Sequence, residues 1–266
     1  MKVSCVRWKR RSVFMFALAL GFGLTSGSEE PTKGAISQFN AYITALETRL
    51  AQQHRAPENF LARVDWPRLQ HGEPIVERLT PTNAEARGAL IHDWRGSAFI
   101  AGVKAADFER VMKNFGDYPR IFSPEIPRAH VLARSDEDHL QAEMRVKQKH
   151  VITVVMDTSY DIAYGRLDAQ HRYSISRSTK VTEIADAGTA EEHPLSPQEE
   201  HGFLWRLNSY WTYEERDGGL YIQIESVSLT RSIPAGLGWI VGPFVESVPR
   251  ESLEFTLRSL CNALRK

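Results

Sequence analysis

Residues 203–213 read Phe203-Leu204-Trp205-Arg206-Leu207-Asn208-Ser209-Tyr210-Trp211-Thr212-Tyr213. Glu214-Glu215-Arg216-Asp217-Gly218-Gly219 and Leu220-Tyr221-Ile222-Gln223-Ile224-Glu225 follow. Large apolar side chains alternate with polar ones on both sides of Asp-Gly-Gly, the pattern of two antiparallel strands joined by a tight turn. Phe203, Trp205, Leu207, Trp211 and Tyr213 are expected on one strand face. The return strand, to about Arg231, has two possible registers. A two-residue Asp217-Gly218 loop places Ile222 and Ile224 on the Trp211 face; a three-residue loop with a glycine bulge places Tyr221, Gln223 and Glu225 there instead. The apolar pair favours the first, and the second stays open.

Upstream, more strands share this alternation. Leu140, Ala142, Met144 and Val146 alternate with charged and polar neighbours, as do Ile152, Val154, Met156, Tyr160, Ile162 and Tyr164. Residues 171–184 give a weaker strand, and residues 186–201 form an acidic loop with two prolines. Two earlier strands are expected at 74–80 and 89–102. Between them and the meander a helix begins near Ala105, with Phe108, Val111 and Met112 on one face, and a short helical turn follows at 117–124. The chain ends in helix. Leu237, Ile240, Val241, Phe244 and Val248 form one stripe and Leu253, Leu257, Leu260 and Leu264 another, with interruptions expected at Pro243 and Pro249.

The N-terminal part differs. Lys2, Arg7, Lys9, Arg10 and Arg11 precede an apolar run at 13–24 and the small polar residues Thr25-Ser26-Gly27-Ser28. That is the pattern of a secretory signal peptide over 1–27, the run being shorter than a bilayer-spanning helix needs. The leader holds five of the 33 basic residues and none of the 33 acidic ones, so the remainder carries a net charge of −5. No basic tract with interleaved aromatics occurs, which argues against a nucleic-acid partner. Cys5 falls in the leader, leaving Cys261 without an intramolecular disulfide partner. Ile36, Phe39, Ile43, Leu46 and Leu50 then mark an amphipathic helix, expected to pack on the main domain. The division expected is a leader at 1–27, an N-terminal helix and connecting segment at 28–73, and one domain at 74–266.

Strand pair, short helices, long antiparallel meander and terminal helix define an α+β order. Within it stand Trp94-Arg95-Gly96-Ser97, Asp117-Tyr118-Pro119 with Ser123-Pro124, Asp217-Gly218-Gly219-Leu220-Tyr221, and Ser228-Leu229-Thr230-Arg231-Ser232-Ile233-Pro234. On these residues the chain resembles the START/polyketide cyclase-like (SRPBCC, helix-grip) superfamily over about 74–264. The resemblance implies a curved antiparallel sheet wrapped around a long C-terminal helix. It also implies a cavity between them for a lipid, sterol, quinone or aromatic polyketide.

The residues expected around that cavity are Phe122, Met156, Tyr160, Tyr164, Trp205, Trp211, Tyr213, Ile240 and Phe244. No metal-ligand spacing, nucleotide loop or nucleophile motif is present, and no cofactor is expected. Glu225 and Arg231 share strand parity and are the weak candidates for proton transfer, provided that their face is the cavity. The expected function is an extracytoplasmic carrier, periplasmic or secreted, of a hydrophobic small molecule. Transient membrane contact would accompany ligand exchange, with no integral segment in the mature chain. A cyclase/aromatase-like enzyme and an interaction module with a filled core are the alternatives.

Overall fold

The structure is a computed structural model that describes residues 30–80, 88–149, 153–232 and 238–265, with the side chains of 238–246 excepted. The expected leader lies outside the described residues.

The elements are α1 (Lys33–Gln53), α2 (Trp66–Gln70), β1 (Ile75–Arg78), β2 (Ala89–Ala101), α3 (Ala105–Lys113), α4 (Tyr118–Ile121), β3 (Arg128–Arg134), β4 (His139–Lys149), β5 (Thr153–Arg166), β6 (His171–Ala185), β7 (His193–Pro194), β8 (Arg206–Arg216), β9 (Gly219–Arg231) and α5 (Gly238–Leu264). Eight strands run in the order β1-β2-β9-β8-β6-β5-β4-β3, all antiparallel, and β7 pairs with β6 off this path. One face of the sheet packs on α5 and the other on α1. This is the helix-grip arrangement with an added N-terminal helix.

The β8–β9 hairpin fixes the register. Asp217 (φ 54°) and Gly218 (φ 74°) are both in the left-handed region, the conformation of a two-residue type I′ turn. Trp211 therefore pairs with Ile224 and Tyr213 with Ile222. The first of the two registers is the one formed.

α5 seats in the hollow of the sheet through Leu253, Leu257, Leu260 and Cys261, which share a core with Trp94, Ala98 and Ile100. Gly96 makes the approach possible, since a Cβ there would lie 2.7 Å from Leu257 Cδ1. Truncating the fully buried Leu257 to Ala costs about 2–5 kcal/mol. On the other face Ala35, Phe39, Ile43, Leu46 and Leu50 of α1 pack against Ala89, Ile91, Tyr210, Val227 and Leu229. Thr32 caps α1, its side chain accepting from Ala35 N at 3.1 Å. The connecting segment is tied down by Gln223, whose side chain exchanges two hydrogen bonds with the backbone of Ala62, each 2.8 Å.

One expectation is corrected, and one strand was not expected. α5 runs unbroken from 238 to 264 through Pro243 and Pro249, although each proline removes one i→i−4 hydrogen bond. Residues 128–134, which show no clear alternation, form the edge strand β3. With one neighbour and a bulge at Val131/Ala133, it buries little apolar surface to mark it.

Candidate functional site

Register places residues in rows across the α5-facing surface. One row runs Val76, Gly96, Ile224, Trp211, Ser174, Tyr164; the next runs Arg78, Trp94, Ser226, Ser209, Ser176, Ile162, Leu140. A third holds His92, Ser228, Leu207, Ser178, Tyr160 and Ala142 on β2, β9, β8, β6, β5 and β4. In the first row Ile224, Trp211 and Tyr164 are large, with Gly96 and Ser174 as the small members, and Gly96 lies under Leu257. The middle of the second row, on β9, β8 and β6, carries only serines.

Those serines have an unusual environment. Ser176, Ser209 and Ser226 are half-buried in central strands, whereas Tyr210, Glu225 and Val227 beside them on the opposite face are buried under α1. Among the described residues the hydroxyls of Ser176, Ser209 and Ser226 have no side-chain hydrogen-bond partner. Trp94 stands directly opposite Ser226. Its residue surface is 9% exposed, and its indole Nε1 is buried with no acceptor among the described residues. An unmet buried donor costs about 1–3 kcal/mol, so the Trp94 indole and the serine hydroxyls form a polar patch on the α5-facing surface with hydrogen-bonding capacity to spare among the described residues.

One end of this interior is closed by charge. Glu109 of α3 accepts from Arg172 Nη1 at 3.0 Å, from the Tyr213 hydroxyl at 3.1 Å and from Lys113 Nζ at 2.9 Å. Lys113 also reaches Asp138 at 3.0 Å and lies 4.6 Å from the Tyr164 ring centroid. Every member has a partner, and the set bridges α3 to β5, β6 and β8.

The structure brings together Phe122, Tyr160, Tyr164, Trp211 and Tyr213 in the α5-facing core. Phe122 packs edge-on against Tyr118, and Trp211 lies 5.5 Å from the Phe108 ring. The Tyr164 and Tyr118 hydroxyls both donate to Met112 O, at 3.1 and 2.7 Å. Burial pushes the Tyr160 hydroxyl up to about 12. Met156 is buried and has the strand parity of Tyr160. Ile240 and Phe244 lie on α5, and their side chains fall outside the described residues.

Trp205 departs from the expected shared face. It belongs to the α1-side core, because Gly202 (φ 74°) turns the chain and β8 begins only at Arg206, so strand alternation does not reach back to 205. Phe203 is exposed.

Glu225 also lies on the α1 side. Its carboxylate pairs with Arg49 of α1 and with Arg95 of β2 at 3.0 Å. Arg231 shares that face by parity but sits six residues further along β9, about 20 Å away, so the two do not form a unit. Asp93 lies near Glu225, accepting from the Tyr42 hydroxyl at 2.6 Å. Burial, and then the neighbouring Glu225 charge, push its carboxyl up to about 7. The void beside this cluster, lined by Arg49, Arg95, Gln223 and Glu225, measures about 10 Å³ and has room for at most one water. This charged cluster fastens α1; it has no space for an organic ligand. A second hollow of about 410 Å³ lies open on the surface between Gln70, His71 and Arg265, against Phe99 and Ala101 at the end of β2.

The residues missed from the sequence are Trp94 and the serine band. A signal was present: Ser174, Ser176 and Ser178 recur at strand period, as do Ser226 and Ser228.

No protein-family model matches the chain, and comparison with curated proteins gives no match. Solved structures resemble it in chain path. A STAR-related lipid transfer protein fragment from Xanthomonas axonopodis is 17% identical with a TM-score of 0.45, covering 72% of this chain and 99% of that one. Human STARD10 is 9% identical with a TM-score of 0.43, covering 70% and 72%. The Zhui aromatase/cyclase from a Streptomyces species is 11% identical with a TM-score of 0.44, covering 66% and 94%. At these scores the likeness bears on neither ligand nor activity.

Proposed function

We propose that this protein is an extracytoplasmic carrier that encloses a hydrophobic small molecule (lipid, sterol, quinone or polyketide-like) between the sheet and α5. The observation that carries this reading is the half-buried serine band at the centre of the α5-facing surface, opposite a face that α1 seals. Small polar side chains stand there, while Tyr160, Ile162, Trp211 and Leu253 of the same core supply apolar walls. Each ligand CH₂ buried against such walls contributes about 0.8 kcal/mol, so an extended apolar body supplies most of the affinity.

Glu225 and Arg231 lie on the other face, which leaves the cyclase reading without its proposed proton-transfer pair. For location, the basic residues between Lys2 and Arg11 and the apolar run at 13–24 support export. Among the described residues no helix is long and apolar enough to cross a membrane.

Adding bulk to the serine band tests the reading. Ser209→Leu and Ser226→Leu add bulk to the middle of the band. They are expected to abolish uptake of hydrophobic probes by the purified protein while its cooperative unfolding is kept. Unchanged uptake in both variants contradicts the site. Export is tested by fractionation and N-terminal sequencing. A mature N-terminus near residue 28 is expected, and a retained Met1 in the cytoplasmic fraction contradicts it.

A further inference from the structure

We propose that the ligand presents a neutral oxygen acceptor, a carbonyl or hydroxyl, to the indole N–H of Trp94, with the Ser226 and Ser209 hydroxyls beside it; this rests on the carrier reading and names the chemistry it selects. The serines alone would be a row of small residues. What gives them a direction is Trp94, which is nine-tenths buried, stands across β2 and β9 from Ser226, and has an N–H without an acceptor among the described residues.

The donor and hydroxyls fit one kind of group. An indole N–H only donates, while a serine hydroxyl both donates and accepts. A ketone, ester, quinone or sterol oxygen can accept from the indole N–H and from a serine hydroxyl at its two lone pairs without bringing a net charge. The central residues of the band are uncharged, and placing a carboxylate on neutral donors out of water carries a heavy desolvation cost. Arg78, next in the row, has its guanidinium carbon 6.0 Å from the Trp94 ring centroid, so a positive charge borders the β1 side of the band and the acid probe tests whether it takes part. The apolar body of the ligand would then extend along the walls formed by Tyr160, Ile162 and Trp211. The site therefore takes an amphiphile with its neutral polar end inward and its body against the aromatic walls.

A matched set of probes separates the possibilities: 4-decylacetophenone, decylbenzene and 4-decylbenzoic acid, measured by equilibrium dialysis with the full mature protein. Each net neutral hydrogen bond is worth about fivefold in affinity. The wild type is expected to hold the ketone about tenfold or more tighter than the hydrocarbon. Trp94→Phe keeps a ring and removes the N–H; it should reduce that preference about fivefold, with hydrocarbon affinity changed less than about twofold. Ser226→Ala and Ser209→Ala should each weaken only the ketone and the acid, and they carry the test if Trp94→Phe fails to fold. A ketone preference unchanged in these variants, equal binding of ketone and hydrocarbon by the wild type, or tighter binding of the acid than of the ketone overturns the proposal while leaving the carrier reading intact. Failure of the wild type to hold any of the three overturns both.

Discussion

The guanidinium of Arg49 on α1 meets the carboxylate of Glu225 on β9, so the first helix is fastened to the sheet by a charge buried on the face away from α5. Arg95, its side chain only 14% exposed, shares the same carboxylate. Fastening and enclosure are thus assigned to opposite faces of one sheet, and substitutions can separate them.

Glu225→Ala removes the carboxylate that Arg49 and Arg95 share while Arg95 keeps Glu77 at 3.3 Å, a loss of charge-assisted hydrogen bonds that costs about 1.5–3 kcal/mol. Urea denaturation should show a loss of that size. Probe uptake on the α5 side should change less than about twofold if the two faces are independent. A large loss of uptake in a variant that is still folded at the assay temperature would place Glu225 in the binding site.

The stability of the chain should fall between about pH 5 and 7 through Asp93. Its carboxyl is held up to about 7 in the fold, against an ordinary value of 3.8. The folded state therefore keeps a proton that the unfolded chain has given up. The resulting stabilisation is full below the ordinary value and is lost as pH rises through 7. Glu125, raised to about 7 by burial and by Glu251, acts in the same direction. His54, lowered to about 4 by burial and by Arg49, acts in the opposite direction, its contribution being lost as pH falls from 6.5 to 4. Asp93→Asn keeps an acceptor for Tyr42 and removes the titration. The difference between variant and wild type across pH 5–7.5 isolates Asp93, and the variant should lose less stability as pH rises. Parallel curves contradict this.

Trp205→Ala and Trp211→Ala should differ in kind. Each removes a buried indole, at about 3–5 kcal/mol. Trp205 faces α1, so the surviving folded protein should bind probes as the wild type does. Trp211 faces α5 beside Ile224 and Ser174, so its loss should also change probe affinity and admit bulkier probes. Thermal melts paired with uptake measurements check both.

Much of this fold is written in period-two and period-3.6 patterns. The β8–β9 hairpin is legible because Asp217-Gly218 accepts positive φ at both turn positions and apolar residues flank it at matching intervals. α1 is legible from Phe39, Ile43, Leu46 and Leu50. Strand β3 is not, because an edge strand with a bulge buries too little to show alternation. The break expected at Pro249 fails because a local rule cannot weigh the packing of Leu253 and Leu257, which holds the helix in place.

The site was legible in part. The aromatic wall of Tyr160, Tyr164, Trp211 and Tyr213 follows from strand parity. Trp205 does not, because parity holds only inside a strand and the turn at Gly202 lies between. Glu225 could not be assigned to a face before the turn length was known, since one residue of slip exchanges the two faces. The serine band drew no attention because small polar residues on a strand usually mark a wet surface. It becomes informative only when the register places those serines on the α5-facing surface, with Ser226 opposite an unsatisfied indole.

Native mass spectrometry of the protein purified from the cell of origin, followed by organic extraction, tests enclosure most directly. The account predicts a mass above that of the chain which is released on extraction as a neutral apolar molecule carrying a carbonyl or hydroxyl oxygen. A bare chain that also takes up no lipid, sterol or quinone when offered them would contradict it.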